Sequence, residues 1–113
     1  MIRAVNPGSN RTPGENAADA ILEAALAKTN ALRGRKLAER IFDRVMLSIT
    51  DAKTVAEREA RARTHANYLS ADDVAFDAES KAILAKAAAD AAEILFAEWQ
   101  SRNATARAEM QLR

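Results

Sequence analysis

From Ile21 to Met110, apolar residues recur every three or four positions, and glycine or capping signals interrupt the rhythm at only a few places. That spacing predicts an all-α protein. Ile21, Leu22, Ala25, Leu26, Thr29 and Leu32 mark a first helix over about 13–33. Its start is written in "TPGE": Thr12 caps, Pro13 suits the first helical position, and Glu15 closes a capping box. Gly34 predicts an end or a bend. The rhythm resumes through Leu37, Ile41, Val45, Ile49 and Ala52, predicting a second helix over about 36–69. Ser48, Thr50 and Asp51 compete for backbone hydrogen bonds and mark the place where it would kink. "SADD" then predicts a new start, with Ser70 as cap and Asp73 reaching back. A third helix over about 71–111 follows through Val74, Ile83, Leu84, Ala87, Ala91, Ile94, Leu95, Trp99, Ala106 and Met110. At 1.5 Å per residue it is roughly 60 Å long and needs a partner along its length.

The break at Leu69 and Ser70 predicts a long antiparallel hairpin of helices 36–69 and 71–111, coiled-coil-like, with the 13–33 helix covering its base. Charges suggest its register. In one alignment Lys53 meets Asp90, Glu57 meets Lys86, Arg63 meets Glu79, Arg44 meets Glu98 and Glu39 meets Arg102, each pair of opposite sign. The same alignment lays the alanines of 56–66 over those of 78–88 and Ile49 against Ile94. Exposed ion pairs are worth only about 0.2–1 kcal/mol each, so they select register more than they stabilise it. The large side chains gather at the base, where Leu37, Ile41, Phe42, Val45, Met46, Leu47 and Ile49 face Ile94, Leu95, Phe96 and Trp99. They are too many for one helix face, so the surplus predicts an interface between subunits of a homo-oligomer.

Composition sharpens the fold class and narrows the chemistry. The chain has 28 alanines among 113 residues against three glycines and two prolines, a helical bias, and its length suits one domain. Residues 12–113 read as that domain, and residues 1–11, with "NPGSN", as a flexible arm carrying Arg3 and Arg11. Without cysteine, disulfides and thiolate metal sites are excluded, which suits a reducing cytoplasm. No uncharged apolar run approaches the roughly 20 residues of a membrane span, and no secretory signal opens the chain. The net charge of +1 hides segregation: residues 28–63 carry ten Lys and Arg against five acids, and residues 72–98 carry two against seven. Such blocks mean two faces that meet, or a basic face that awaits nucleic acid.

A search for catalytic chemistry finds none that stands out. His65, the lone histidine, sits in the cationic run "RARTHAN" and reads as a solvated helix position, since nothing specifies carboxylates that would join it around a metal. Asp72 and Asp73 are adjacent, so on a helix they point apart and read as capping residues rather than an acid and base pair. Gly8, Gly14 and Gly34 are too scattered for a phosphate loop. No catalytic residue, metal ligand or cofactor is expected. "LRGRKLAER" is the more informative run: Arg33, Arg35, Lys36 and Arg40 surround the glycine joint and find few acids in the proposed register. Arg58 and Arg61 are likewise spare. These cations read either as a solvated turn or as phosphate contacts whose binding weakens with salt. Trp99 reads as core or subunit interface, or else as a stacking surface for an unpaired base with Arg102 and Arg107 alongside.

The late run "EWQSRNATARAEM", with Trp99, Ser101, Ala104 and Arg107, follows a long polar helix. Over residues 55–110 it resembles small helical accessory proteins of phage recombination and replication, loosely the UvsY-type recombination mediators. That resemblance implies a non-enzymatic oligomer in the host cytoplasm that binds single-stranded DNA and works with a recombinase or a single-strand-binding protein. Multivalency would supply the affinity, many weak basic patches acting together. The alternatives are a protein-only adaptor or inhibitor of a host complex, such as an anti-defence factor presenting Asp77, Glu79, Asp90 and Glu93, and a virion or scaffold component.

Overall fold

A computed structural model describes residues 11–112 of the chain. Among them are three helices, α1 (Pro13–Ser48), α2 (Val55–Thr64) and α3 (Ala66–Gln111), and no strand. The all-α class stands as expected. So do the first helix's start at Pro13 and the last helix's end at Gln111, whereas the breaks between them fall elsewhere, each for a local cause.

α1 runs through Gly34 without a break. A glycine inside a helix costs about 1 kcal/mol relative to alanine, but here its bare face lies against Ala75 of α3. A Cβ built on Gly34 would stand 3.4 Å from the Ala75 Cα. Helix contact stabilises what propensity disfavours. The chain instead stops being helical after Ser48, whose Oγ donates to the Val45 carbonyl at 2.7 Å. The helix thus ends at Ser48, where a kink is predicted. Thr54 then caps α2, its hydroxyl accepting the Glu57 N–H at 3.1 Å, and the Glu57 carboxylate accepts the Lys53 N–H at 3.0 Å. Arg61 reaches back from α2 to Asp51 at 2.7 Å and to Glu57 at 3.0 Å. The connection is therefore tied onto the helix that follows it.

The second break falls at His65 rather than at Ser70. His65 has extended backbone (φ −69°, ψ 135°), and its N–H donates to the Ala62 carbonyl at the end of α2. Its carbonyl accepts the Leu69 N–H at 2.9 Å, and its Nδ1 accepts the Asn67 N–H at 3.1 Å. One exposed residue thus closes α2 and caps α3. Ser70 and Asp73 lie inside α3, so their expected capping role is taken by His65, which is solvated but not helical.

The chain forms two compact units. In the unit Ala27–Ala82, α1 and α3 pair antiparallel: Phe42 meets Tyr68 edge to face at 5.2 Å, and Gly34 meets Ala75. Arg35 donates to Asp72 at 2.6 Å and to Glu79 at 2.5 Å. In the other unit, made of the described residues up to Leu26 and those from Ile83 onward, the Phe96 ring fills the space over Gly14. Phe96 stacks on Trp99 with centroids 6.2 Å apart.

The expected register is replaced. Glu79 takes Arg35 rather than Arg63, Arg63 takes Glu59, Lys86 takes Asp90, Arg102 takes Glu98, and Glu57 takes Arg61. Four of these five are partners four residues apart on one helix, a pairing always within reach on a long helix. Phe42, expected opposite Ile94 to Trp99, meets Tyr68 instead.

The core is also differently composed. The buried residues are Ala17, Ala31, Ala38, Val45, Ala62, Ala75, Ala85 and Ala89. Along α1, Ala17, Ala31, Ala38 and Val45 fall at multiples of seven, with Ala24 half-buried in the gap and Ala20, Ala27, Gly34 and Ile41 half-buried three places on. Along α3, Ala75, Ala82, Ala89 and Phe96 keep the same interval, with Ala78, Ala85 and Ala92 three places on. Those are heptad seams built mostly of small residues, with Ile41 and Val45 at the end of one and Phe96 at the end of the other. Their narrow side chains let helix axes approach at the short end of the usual 8–10 Å.

Candidate functional site

An alanine seam turns most large side chains outward. Ile21, Leu22, Leu26, Leu32, Leu37, Leu47, Phe76, Ile83, Leu84, Ile94 and Leu95 are all exposed, Leu47 by 81%. Soluble monomers rarely leave so much large apolar surface in water.

The expected interface residues divide accordingly. Val45 is buried, and Ile41, Phe42, Met46 and Ile49 are half-buried, all in the unit Ala27–Ala82. They serve the protomer's own core. Ile94 and Leu95, on α3 in the other unit, are 61% and 62% exposed, and Trp99 is 40% exposed. The exposed flank of Trp99 does not adjoin a free arginine pair, because Arg102 leans on Glu98 at 3.9 Å. Beside it Ile94, Ala97, Glu98, Ser101 and Arg102 line a shallow depression.

The expected cation cluster is split by the structure. Arg35 is not spare: it is the ion-pair clamp between α1 and α3, two-thirds covered, and its two carboxylate partners raise its pKa above the usual guanidinium value. Arg61 is not spare either, since Asp51 and Glu57 hold it. The guanidinium of Arg61 in turn holds the Asp51 carboxyl below its ordinary value. Arg58 is half-buried, with its Nε unpartnered among the described residues. Arg107 is exposed near the end of α3. Arg33, Lys36 and Arg40 remain, exposed and without an ion pair among the described residues. Their spacing of three and four sets them on one face of α1, and Arg44, expected to meet Glu98, continues it four residues on. Glu39 and Asp43 flank that ridge, leaving four cations against two acids.

Arg11, expected in a flexible arm, is tied to the first turns of α1 by an ion pair with Asp19 and by hydrogen bonds to Asn16 Oδ1 and the Glu15 carbonyl, each 3.3 Å. Arg3 and the rest of the expected arm lie outside the described residues. Among the described residues, no three His, Cys, Asp or Glu side chains gather in a group that would hold a metal ion, and no helix is long and apolar enough to cross a membrane.

The fold and these surfaces define a class, an all-α protein of long helices joined by alanine seams. Compared with protein-family models, with curated proteins and with solved structures, the chain matches none.

Proposed function

We propose that this chain is a non-enzymatic helical binding protein that works as a homo-oligomer. One observation carries the reading: alanines occupy the buried seam while leucines, isoleucines and a phenylalanine are left on the surface. A buried alanine removes little more than one methyl group from water, worth about 0.8 kcal/mol, whereas each large exposed side chain offers about 1.5–3 kcal/mol on burial. The larger share of the available hydrophobic free energy is thus held back for association. Light scattering on the purified chain, with absorbance ratio recorded, tests this. A discrete oligomer is the expected result, and a monomer across the micromolar range would reject the reading.

A second reading rests on the cationic ridge. We propose that Arg33, Lys36 and Arg40, with Arg44, contact the phosphates of single-stranded DNA, in keeping with an accessory role beside a recombinase or a single-strand-binding protein. Repetition of the ridge around an oligomer would turn a weak contact into useful affinity. The triple replacement of Arg33, Lys36 and Arg40 by alanine should weaken oligonucleotide binding and lower the salt slope by about 2, since each single-strand phosphate contact contributes roughly 0.7. Equal affinity and equal slope would reject the phosphate role and favour a protein-only adaptor, whose complex survives nuclease.

A further inference from the structure

Among the exposed apolar residues, those on α3 between Ile83 and Leu95 are ordered in an unusual way. Ile83 and Leu84 stand at one end, Ile94 and Leu95 at the other, with Ala87 and Ala91 between. At 100° per residue these six fall on one side of α3, roughly 160° away from the buried Ala85 and Ala89. Ile83 is 70% exposed, Leu84 66%, Ile94 61% and Leu95 62%. All six belong to the same compact unit. The order reads alike in both directions about Ala89, which is the symmetry an isologous contact requires, since each patch must be complementary to itself.

We infer that this face of α3 pairs antiparallel with the same face of a second copy, about a two-fold axis at the level of Ala89. The inference rests on the oligomeric reading above and names its surface. In this arrangement Ile83 and Leu84 of each protomer pack on Leu95 and Ile94 of the other, and Ala87 packs on Ala91. The alanines let the helices close at the centre while the paired large residues fill the two ends, as knobs and holes demand.

Charge separates this arrangement from its parallel counterpart. A parallel pairing in register would stack Glu98 on Glu98 at the middle of the face and bring Asp90 toward Asp90 at its edge, like charge toward like. The antiparallel pairing sets Glu98 at the level of Ser80 and Asp90 at the level of Ala88. Near the axis each Asp90 keeps its own Lys86, 3.2 Å away, so the two protomers bring two cations and two anions to the centre.

Area is adequate as well. Each large side chain leaves on the order of 100 Å² of apolar surface open, as its transfer free energy implies. With the two alanines, the face offers roughly 500 Å² per copy. Flanking polar side chains bring it toward the roughly 800 Å² per partner of a standard interface.

The test uses opposite charges across one layer. Leu84→Glu and Ile94→Lys each place a charge against an apolar side chain at both ends of the contact. Each variant alone should raise the dimer dissociation constant about tenfold or more while keeping the parent's circular dichroism. An equimolar mixture of the two should restore the dimer, because one layer becomes a Glu and Lys pair and the other keeps its native Leu and Ile. Since the chain lacks cysteine, a mixture of Ala87→Cys and Ala91→Cys should also form a disulfide-linked heterodimer in preference to either homodimer. A parent that is monomeric rejects the oligomeric reading and this interface with it. A parent that is oligomeric, with variants of unchanged mass, no rescue on mixing and no preferred cross-link, overturns only the interface.

Discussion

Gly34→Ala should stabilise the protein by about 1 kcal/mol. Gly34 sits well inside α1, where alanine is favoured over glycine by about 0.8–1.0 kcal/mol. The opposing term is steric, and the geometry decides it. The added Cβ would stand 3.4 Å from the Ala75 Cα and 3.8 Å from the Ala75 Cβ, separations of ordinary van der Waals contact. Each such contact contributes only about 0.1–0.2 kcal/mol of attraction, so propensity dominates and the sign is favourable. Gly34→Leu reverses it, because the same gap cannot take three further carbons and overpacking costs about 1–3 kcal/mol. Urea titration followed by helical circular dichroism, at one fixed protein concentration, reads both variants. The alanine variant should move the midpoint upward at unchanged slope and raise the melting temperature by roughly 4–8 °C. A lower midpoint for Gly34→Ala would refute the reasoning, since it would mean the helices sit closer at this point than the Ala75 contact implies.

The other glycine contact has the opposite sign: on Gly14 a Cβ would stand 2.9 Å from the Phe96 ring, so Gly14→Ala should cost about 1 kcal/mol. It should also shift the emission of Trp99, on which Phe96 stacks. His65→Ala removes the acceptor for the Asn67 N–H and should cost about 1 kcal/mol, while His65→Asn, a good capping residue, should recover most of it in the same urea titration. Asp51 is held below its ordinary pKa by Arg61, so its contribution is present above the unfolded-state value and is lost as pH falls through the lower folded value. A carboxyl titration by NMR should place Asp51 below the ordinary aspartate value in the parent, and raise it toward that value in Arg61→Ala.

The helical class was legible because period is a strong signal over long segments, and the start at Thr12 was legible because capping uses a short code: the Thr12 hydroxyl accepts the Glu15 N–H at 3.2 Å. The same code was present and passed over in "TVAE", residues 54–57, which starts α2. The end at His65 was not readable in this way. Histidine is not a usual cap, and only its extended backbone frees Nδ1 for the Asn67 N–H. Gly34 misled because glycine has two uses, ending a helix and admitting a close neighbour, and sequence does not distinguish them. The charge register misled for a related reason: a helix with a charge in most turns satisfies its charges internally, so signs matched across a trial alignment carry little information. Of the candidate cations, Arg33, Lys36 and Arg40 are exposed as expected and Arg44 joins their ridge, whereas Arg35 is not free, because Asp72, expected to cap, and Glu79, expected to meet Arg63, both hold it.

The deeper misreading concerned alanine, and it bears on what the molecule is built to do. Hydrophobic scales rank leucine above alanine for burial, so the expected seam followed the leucines and isoleucines. Here most residues at heptad intervals along α1 and α3 are small ones, because a narrow side chain admits a close helix neighbour that leucine would hold apart. A seam of that kind is specific in register, as Gly34 on Ala75 and Arg35 between Asp72 and Glu79 require, but it removes little apolar area per residue. The large side chains then have no place inside and lie where a second helix would bury them. On the oligomeric reading proposed above, specificity within the protomer and affinity between protomers fall to different faces of the same helices. Changes on the alanine face should therefore alter stability and register together, and changes on the leucine and isoleucine face should alter association while leaving the helices formed.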